Sequence, residues 1–264
     1  MLRSIPTPSS SVLEFGPVTI HFYALCIIAG IALAIWLGDR RLVQLNQAYK
    51  GIVGEVAIVA VPSGIIGGRI YHVLTSPAPY FGDGGQPLDA FKIWQGGLGI
   101  WGAISLGAIG AWLRYRTLTV EKPSFSHFLD ALAPGLLLAQ AIGRFGNWFN
   151  GELFGRPLDA PWALEIPLSL RPVGYRQFET FHPTFLYEAI WCVLLALILM
   201  RMHTKPGQLF SLYVVGYCIG RFGVEYLRID QAQVFAGMRL NNWVALVVGA
   251  LAIASFIRIG RRAH

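Results

Sequence analysis

The chain has 264 residues, of which 55% are hydrophobic and only 13% charged, and its formal net charge at pH 7 is +7. A soluble globular domain carries about 25% charged residues, so the composition excludes an ordinary soluble enzyme and predicts an integral membrane protein. The excess of Lys and Arg over Asp and Glu, 21 against 14, suits an anionic partner such as a lipid surface or a nucleic acid.

Seven apolar segments have the length of helical membrane spans. A helix needs roughly 20 mostly apolar residues to cross a hydrocarbon core of about 30 Å. In chain order, the predicted spans are residues 18–37, 52–74, 98–114, 128–145, 183–200, 209–227 and 243–259. We therefore expect an all-α integral membrane protein with seven transmembrane helices.

The distribution of basic residues predicts the orientation of these spans. If the N-terminus lies outside, the short cytoplasmic links contain Arg40, Arg41, Arg114 and Arg116, among other basic residues. Because cytoplasmic loops are enriched in Lys and Arg, we expect the N-terminus outside and the C-terminus in the cytoplasm. The positive charge then serves orientation and attraction to anionic membrane lipids, and no nucleic-acid partner is expected.

The longest segment between predicted spans covers residues 151–181. It contains several prolines and both acidic and basic residues, but it is too short to build a hydrophobic core of its own. We predict a small extracytoplasmic head on the periplasmic side, within a single transmembrane catalytic domain that covers residues 1–264.

A glycine-rich segment at the start of the third predicted span, residues 97–102, matches the dinucleotide fingerprint. That fingerprint requires a preceding strand in a βαβ unit, whereas this copy opens an apolar segment. The small residues Gly99, Ala103, Gly107 and Ala111 recur there every four positions. The pattern therefore predicts a close helix-packing face rather than a nucleotide site.

Polar side chains collect where the fourth predicted span ends. Arg144, Asn147, Asn150 and Glu152 lie within residues 143–155, directly after an apolar run. Ionisable groups are costly at membrane depth and commonly mark functional sites. If the segment begins as a helix, Arg144 and Asn147 share one face, which predicts a polar pocket at one membrane surface.

Three arginines, each preceded by a glycine, lie in three different predicted spans: Arg69, Arg144 and Arg221. A guanidinium offers a planar fork that matches two phosphate oxygens, and an adjacent glycine leaves room for a bulky ligand. A phospholipid headgroup would suit such a pocket. The alternative is that each arginine pairs with a local acid, Arg221 with Glu225 and Arg144 with Glu152.

Several acidic and imidazole groups are candidates for proton transfer, because burial can bring their pKa values toward neutrality. They are Glu152, Glu188, Glu225, His21, His72 and His182. The sequence contains neither metal-ligand spacing nor a serine-hydrolase elbow, and we expect no metal and no cofactor. The three cysteines lie inside predicted spans, where a thiol is usually an inert apolar side chain.

The segment GRFGNWFNGELFG at residues 143–155 resembles the signature of the prolipoprotein diacylglyceryl transferases, bacterial membrane enzymes of lipoprotein maturation. Shorter matches extend this resemblance over nearly the whole chain. In chain order, they are HFY at 21–23, GGR at 67–69, WQGG at 94–97, HPTFLYE at 182–188 and YCIGRFGVE at 217–225.

The resemblance implies transfer of the diacylglyceryl group from phosphatidylglycerol to the lipobox cysteine thiol of a prolipoprotein signal peptide. A thioether forms and glycerol phosphate leaves. The nucleophilic sulfur then belongs to the substrate protein, in agreement with the inert cysteines expected here. The implied location is the bacterial cytoplasmic (inner) membrane, with the active site toward the periplasm.

By the same resemblance, Arg144 and Arg221 hold the lipid phosphate and offset its charge as it leaves, and Asn147 and Glu152 complete the predicted catalytic group. The predicted substrate-binding residues are Tyr23, Arg69, Asn150, Gly155, His182, Glu188, Tyr217 and Glu225.

The chain departs from the family pattern at Trp101, where some members carry a histidine proposed to activate the thiol. Tryptophan cannot accept a proton. Either another group, such as Glu152 or a nearby histidine, deprotonates the thiol, or electrostatic stabilisation by the arginines is sufficient for the reaction. A cysteine pKa of about 8.5 leaves a few per cent thiolate at neutral pH.

Two other classes of function stay open. Intramembrane arginines also mark transport paths, so a transporter or channel for an anionic solute is one alternative. The other is a different enzyme acting on phospholipid headgroups. Against transport, the polar motif residues fall mainly on the outer side, and the two halves of the chain show no sustained repeat.

Overall fold

The computed structural model describes residues 4–16 and 18–261, and the protein is mainly helical over these residues. Seven helices have 18 residues or more, and α3 is a single turn between two of them. The helices are α1 (Phe22–Leu45), α2 (Ile52–Thr75), α3 (Ala78–Phe81), α4 (Ile100–Thr117), α5 (Phe125–Asn150), α6 (Thr184–Arg201), α7 (Gln208–Glu225) and α8 (Leu240–Arg261). Short 3-10 helices cover Gln47–Tyr49, Pro87–Phe91, Ile93–Gln95, Leu168–Leu170 and Val173–Tyr175.

Five of these helices are long and apolar enough to cross a membrane: α1, α2, α5, α6 and α8. Helices α4 and α7 are 18 residues long but less apolar, because they contain several glycine, polar and charged residues. The fold is thus that of a helical membrane protein. The seven-span count and the orientation of the termini stay predictions, and residues 1–3 and 262–264 lie outside the described residues.

Short strands form three small sheets. The strands are β1 (Ile5–Pro6), β2 (Val12–Phe15), β3 (Val18–His21), β4 (Leu164–Glu165), β5 (Thr180–Phe181), β6 (Val234–Phe235) and β7 (Met238–Arg239). Strand β4 pairs in parallel with β1 and antiparallel with β5, while β2–β3 and β6–β7 are antiparallel pairs. The first helix therefore begins later than residue 18, because a short apolar run does not distinguish a strand from a helix.

The predicted head, residues 151–181, has a core that it shares with other segments. Phe154, Leu164, Ile166 and Phe181 are buried together with Phe185 of α6. Partly buried residues from elsewhere, including Ile5 of β1, pack against them. Two-residue strands bury too little apolar surface to be stable alone, so this segment depends on the N-terminal strand and on α6. Its assignment as an extracytoplasmic head stays a prediction.

The chain divides into two compact units. One contains the described parts of Met1–Gly38 and Ser126–His264, and the other is Asp39–Phe125. In the second unit α2 and α4 pack closely through glycines: a Cβ atom on Gly67 would overlap the carbonyl oxygen of Gly102, and one on Gly107 would lie 3.5 Å from the Cα of Gly64. This confirms the prediction that the glycine-rich start of α4 is a helix-packing face.

In the first unit, α1 lies against α5 through small residues. A Cβ atom on Gly30 would lie 3.0 Å from the carbonyl oxygen of Ala139, and one on Gly135 would lie 3.0 Å from that of Ala34. Helices α5, α6 and α7 share one apolar core. Its buried members are Leu137, Ala141, Ala189, Cys192, Ala196, Leu199 and Leu209. This core fixes the three helices that carry the polar site.

Candidate functional site

Arg144 connects three helices. Helix α5 continues past the predicted end of its span to Asn150, so Arg144 and Asn147 share a helical face as predicted. The Nε atom of Arg144 forms an ion pair at 2.8 Å with Oε2 of Glu188 on α6. Its Nη2 donates to the hydroxyl of Tyr217 on α7 at 3.3 Å, and Nη1 donates to Oδ1 of Asn147 at 3.5 Å. The expected local pair of Arg144 with Glu152 is wrong, because Glu188 takes that place.

Arg221 contacts two carboxylates. Its Nη1 donates to Oε1 of Glu188 at 3.1 Å, and its Nη2 donates to Oε2 of Glu225 at 2.5 Å. The pair with Glu225, four residues later on α7, is the one that the spacing predicts. Glu188 therefore presents one oxygen to each of two arginines, and only 7% of its side chain is exposed. Buried charges persist in proteins when they are paired in this way.

The network continues beyond α7. Glu225 is fully buried, and its Oε1 lies 2.7 Å from Nε of Arg239 and accepts a hydrogen bond from Asn241 at 3.0 Å. Asp230 accepts two hydrogen bonds from Arg228, at 2.7 and 2.8 Å, and one from Arg239 at 2.9 Å. These contacts tie the link between α7 and α8 to the end of α7.

Four guanidinium groups and three carboxylates make up this network, which we call the arginine–carboxylate cluster. Its members are Arg144, Arg221, Arg228, Arg239, Glu188, Glu225 and Asp230. The surplus of one positive charge favours an anionic ligand. Burial alone would raise the pKa of Asp230, but the hydrogen bonds and charge of Arg228, together with the charge of Arg239, lower it below its ordinary value.

The sequence analysis missed three members of the cluster. Arg228 follows Glu225 by three residues and precedes Asp230 by two, so local charge spacing could have indicated both. Arg239 carried no such signal, because the β6–β7 pair brings it back to Glu225 over a separation of 14 positions along the chain.

Glu152 is held by two asparagines. The Nδ2 atoms of Asn147 and Asn150 each donate to Oε1 of Glu152 at 3.0 Å. The chain turns back directly after α5, with positive φ angles of 60° at Gly151 and 58° at Leu153. Within the described residues Oε2 accepts no hydrogen bond, and the residue is exposed. One carboxylate oxygen is thus oriented by amides while the other stays accessible.

Tyr23 of α1 lies directly on α5. A Cβ atom placed on Gly146 would overlap the Tyr23 ring, so only glycine allows the ring this position. Gly146 lies between Arg144 and Asn147 along α5. Tyr23 therefore packs beside the turn of helix that carries both of these side chains.

The expectation that glycines preceding the arginines leave room for a ligand is wrong for Gly68 and Gly220, because protein atoms fill these spaces, and it stays a prediction for Gly143. The ring of Trp191 fills the space beside Gly220, and the start of α4 fills the space beside Gly68. Beside Gly143, the Cδ1 atom of Ile27 would lie 3.6 Å from an added Cβ. These glycines allow protein side chains and helices to pack, because a missing Cβ permits close approach of any neighbour.

Gly155 and His182 join the head segment to the end of α7. The backbone N–H of Gly155 donates to the carbonyl of His182 at 2.9 Å, and Gly155 pairs antiparallel with Arg228. The Nδ1 atom of His182 lies 3.1 Å from the hydroxyl of Tyr187. Burial, together with the nearby charge of Arg156, lowers the pKa of His182, which favours the neutral imidazole at pH 7.

Arg69 belongs to the other compact unit and makes its contacts there. It is 7% exposed, and its guanidinium donates to the carbonyls of Asp89 at 2.5 Å, Ala90 at 2.7 Å, Gly96 at 2.7 Å and Gly97 at 3.0 Å. Its guanidinium therefore faces protein. These hydrogen bonds hold the segment before α4 against α2. The contact of Arg69 with substrate stays a prediction.

Most of the predicted site residues form one connected group. Side-chain contacts join Arg144, Arg221, Asn147, Asn150, Glu152, Glu188, Tyr217 and Glu225. Tyr23 adjoins them through Gly146, and Gly155 and His182 adjoin them through the backbone around Arg228. Trp101 lies in the first turn of α4 in the other unit and is 39% exposed.

Known proteins match this chain over most of its length. A family model described as prolipoprotein diacylglyceryl transferase matches residues 10–258. A relative from Cutibacterium acnes named phosphatidylglycerol–prolipoprotein diacylglyceryl transferase is 52% identical over 263 residues, which are 98% of this chain and 88% of the relative.

Two Streptomyces proteins are similarly close. The S. coelicolor protein named phosphatidylglycerol–prolipoprotein diacylglyceryl transferase 2 is 51% identical over 260 residues, which cover 97% of this chain and 81% of that protein. A protein of S. griseus with the same name, without the number, is 49% identical, with 97% and 78% covered.

Proposed function

Because this chain belongs to the prolipoprotein diacylglyceryl transferase family, we propose that it transfers the diacylglyceryl group from phosphatidylglycerol to a prolipoprotein. The acceptor is the thiol of the lipobox cysteine in the signal peptide. The protein acts in the bacterial cytoplasmic membrane with its site toward the periplasm, and its membrane-spanning helices support a membrane location. The names of its relatives favour this transfer over transport of an anionic solute or another headgroup reaction.

One observation carries the assignment of the site: Arg144 and Arg221 face the same carboxylate from two helices. Two guanidinium groups that converge on adjacent carboxylate oxygens are also arranged to converge on a phosphate. In the proposal, both arginines bind the phosphate of phosphatidylglycerol. The surplus positive charge of the arginine–carboxylate cluster supports an anionic substrate.

The reaction exchanges one bond for another. The cysteine sulfur forms a bond to the glycerol carbon of the diacylglyceryl group, and the bond from that carbon to the phosphate oxygen breaks. The electron pair stays on the phosphate, so glycerol phosphate leaves with one more negative charge than the phosphodiester carried. Fixed positive groups that meet charge as it develops lower the barrier, and Arg144 and Arg221 fill this role.

The thiol proton must also be removed. Glu152 is the group that the geometry supports best, because Asn147 and Asn150 orient its carboxylate through Oε1 while Oε2 is left without a partner among the described residues. We assign Glu152 as the proton acceptor, in place of the histidine that some relatives have where this chain has Trp101. The remaining predicted residues line or support this site: Tyr23, Asn150, Gly155, His182, Tyr217 and Glu225.

Mass measurement of an acceptor peptide tests the function. Purified protein is incubated with phosphatidylglycerol vesicles and a peptide containing a lipobox cysteine. We expect a mass increase equal to one diacylglyceryl group. A peptide with serine in place of the cysteine, and vesicles of phosphatidylethanolamine alone, are the matched controls. An unmodified cysteine peptide, under conditions in which the S. coelicolor relative modifies it, would overturn the proposal.

A further inference from the structure

Glu188 occupies the place between Arg144 and Arg221 in which the proposed function puts a phosphate. Its Oε2 lies 2.8 Å from Nε of Arg144, and its Oε1 lies 3.1 Å from Nη1 of Arg221. Carboxylates and phosphates both present adjacent oxygens to guanidinium groups. Glu188 and a bound phosphate therefore compete for the same donors.

We propose that Glu188 is a positioning residue and internal counter-ion, which holds the two arginines together in the empty site and speeds the release of glycerol phosphate after the reaction. The inference rests on the proposed function, since it concerns the product of that transfer. It replaces the sequence-based prediction that Glu188 touches the substrate as a binding residue.

The charges of substrate and product explain why such a group is needed. Phosphatidylglycerol is a phosphodiester with a single negative charge, whereas a phosphate monoester carries about −1.5 to −2 at pH 7 because its second pKa is about 6. Two converging arginines alone would therefore bind the product more tightly than the substrate. A fixed carboxylate between Arg144 and Arg221 repels the more negative product more strongly, which lowers product affinity selectively.

Glu188 suits this role better than Glu225. Glu225 is fully buried and is engaged by Arg239 and Asn241 as well as by Arg221. Among the described residues, the ion pairs of Glu188 are those with Arg144 and Arg221 only. When a phosphate binds these two arginines, Glu188 loses both of its ion-pair partners. Glu225 keeps its contacts with Arg239 and Asn241. The carboxylate that repels the product phosphate is therefore Glu188.

Product inhibition of a charge-neutral variant tests the inference. Glu188→Gln has nearly the same shape and removes the charge. We expect the inhibition constant of glycerol 1-phosphate to fall at least tenfold, while the KM for phosphatidylglycerol changes less than about threefold, and kcat falls because release becomes slower. An inhibition constant that stays unchanged, or that moves in proportion to KM as with a general structural defect, would overturn the inference.

Two further variants make the result interpretable. Glu55→Gln removes an exposed carboxylate that pairs with Arg114 in the other compact unit, and we expect unchanged KM and inhibition constant. Because removing one member of a buried ion pair can unfold a protein, Glu188→Asp is the second test. It keeps the charge but cannot reach both arginines, so the inhibition constant should fall in the same direction by a smaller factor. An unchanged value in folded Glu188→Asp would contradict the inference.

The two proposals fail in different ways. If the wild-type protein transfers no diacylglyceryl group to the peptide, the proposed function is wrong. If the wild-type protein is active and the folded Glu188 variants bind glycerol 1-phosphate as the wild type does in calorimetric titration, only the role of Glu188 is wrong.

Discussion

The ring of Tyr23 lies against the backbone of Gly146, where a Cβ atom would overlap it. This contact places a side chain of α1 beside Arg144 and Asn147 on α5. The Gly-Arg-Phe-Gly sequence of residues 143–146 recurs at residues 220–223 around Arg221. Its last glycine makes no equivalent contact, because a Cβ on Gly223 would have no heavy-atom neighbour within 4 Å. The two copies of one short motif therefore differ in what surrounds them.

Gly146→Ala should damage the site for this reason. The added methyl group displaces the Tyr23 ring or shifts α5, and overpacking of this kind typically costs about 1–3 kcal/mol. We expect a lower unfolding temperature in detergent and a loss of transferase activity of at least tenfold.

The matched control for Gly146→Ala is Gly223→Ala. This glycine is exposed and lies inside helix α7, where alanine is favoured over glycine by about 1 kcal/mol. We expect unchanged activity and an equal or higher unfolding temperature. Equal effects of the two substitutions would contradict the importance of the contact with Tyr23.

Arg144→Lys should abolish most activity although it preserves the charge. An ammonium group is a point charge and cannot present two parallel donors to a phosphate while also contacting Tyr217. Loss of one preorganised charge-stabilising group commonly costs about 100-fold in rate, and we expect a loss of kcat/KM of that order. Steady-state kinetics with the lipobox peptide measure it.

Arg114→Lys is the control for this arginine. Arg114 pairs with exposed Glu55, and both side chains remain substantially exposed, so lysine can replace it at little cost. Near-normal turnover of Arg144→Lys would show that Arg144 acts as a simple ion pair and not as a phosphate ligand.

Glu152→Gln tests the proposed proton acceptor without disturbing its surroundings. The glutamine carbonyl can still accept the two hydrogen bonds that Asn147 and Asn150 donate to Oε1, while its ability to take a proton is lost. We expect a decrease in kcat of about 100-fold and a flattened acidic limb of the pH–rate profile. A pH profile of wild-type shape would remove Glu152 as the acceptor.

Asp230→Asn should change the pH dependence of stability. Because the pKa of Asp230 is lower in the folded protein than its ordinary value, its contribution is fully present above the unfolded pKa of about 3.9 and is lost as the pH falls through the folded pKa. Near neutral pH, the free energy of unfolding of the variant should be lower than that of the wild type by about 1.5–3 kcal/mol, the range typical of hydrogen bonds to charged groups. Its unfolding temperature should then fall less than that of the wild type below about pH 4.

The exposed Asp159 offers a control on the same compact unit. It has no ion pair among the residues that the structure describes, so Asp159→Asn should leave the acid dependence of unfolding as it is in the wild type. If Asp230→Asn and Asp159→Asn gave the same acid dependence, the contacts of Asp230 with Arg228 and Arg239 would contribute nothing to the pH dependence of stability.

Helix existence and type were predictable from sequence because long apolar runs leave the backbone few alternatives in a membrane. Their ends were less predictable. Residues 18–21 form a strand, and α5 runs on to Asn150, since hydropathy does not register the hydrogen bonds that begin or end a helix. The dependence of the head on Ile5 and Phe185 was also invisible, because it is a contact between distant segments.

For the site, the amino-acid sequence determined which groups are present: arginines within apolar segments, an Asn-Asn-Glu set at the end of α5, and a motif that identifies the family. Their partners were decided by tertiary structure. Local spacing predicted Arg221 with Glu225 correctly, but it paired Arg144 with Glu152, whereas the structure pairs Arg144 with Glu188 on another helix. Sequence spacing predicts neighbours on one helix only. The packing of α5, α6 and α7 decides which charges meet. Buried charges pair with whichever opposite charge the neighbouring helices bring within reach.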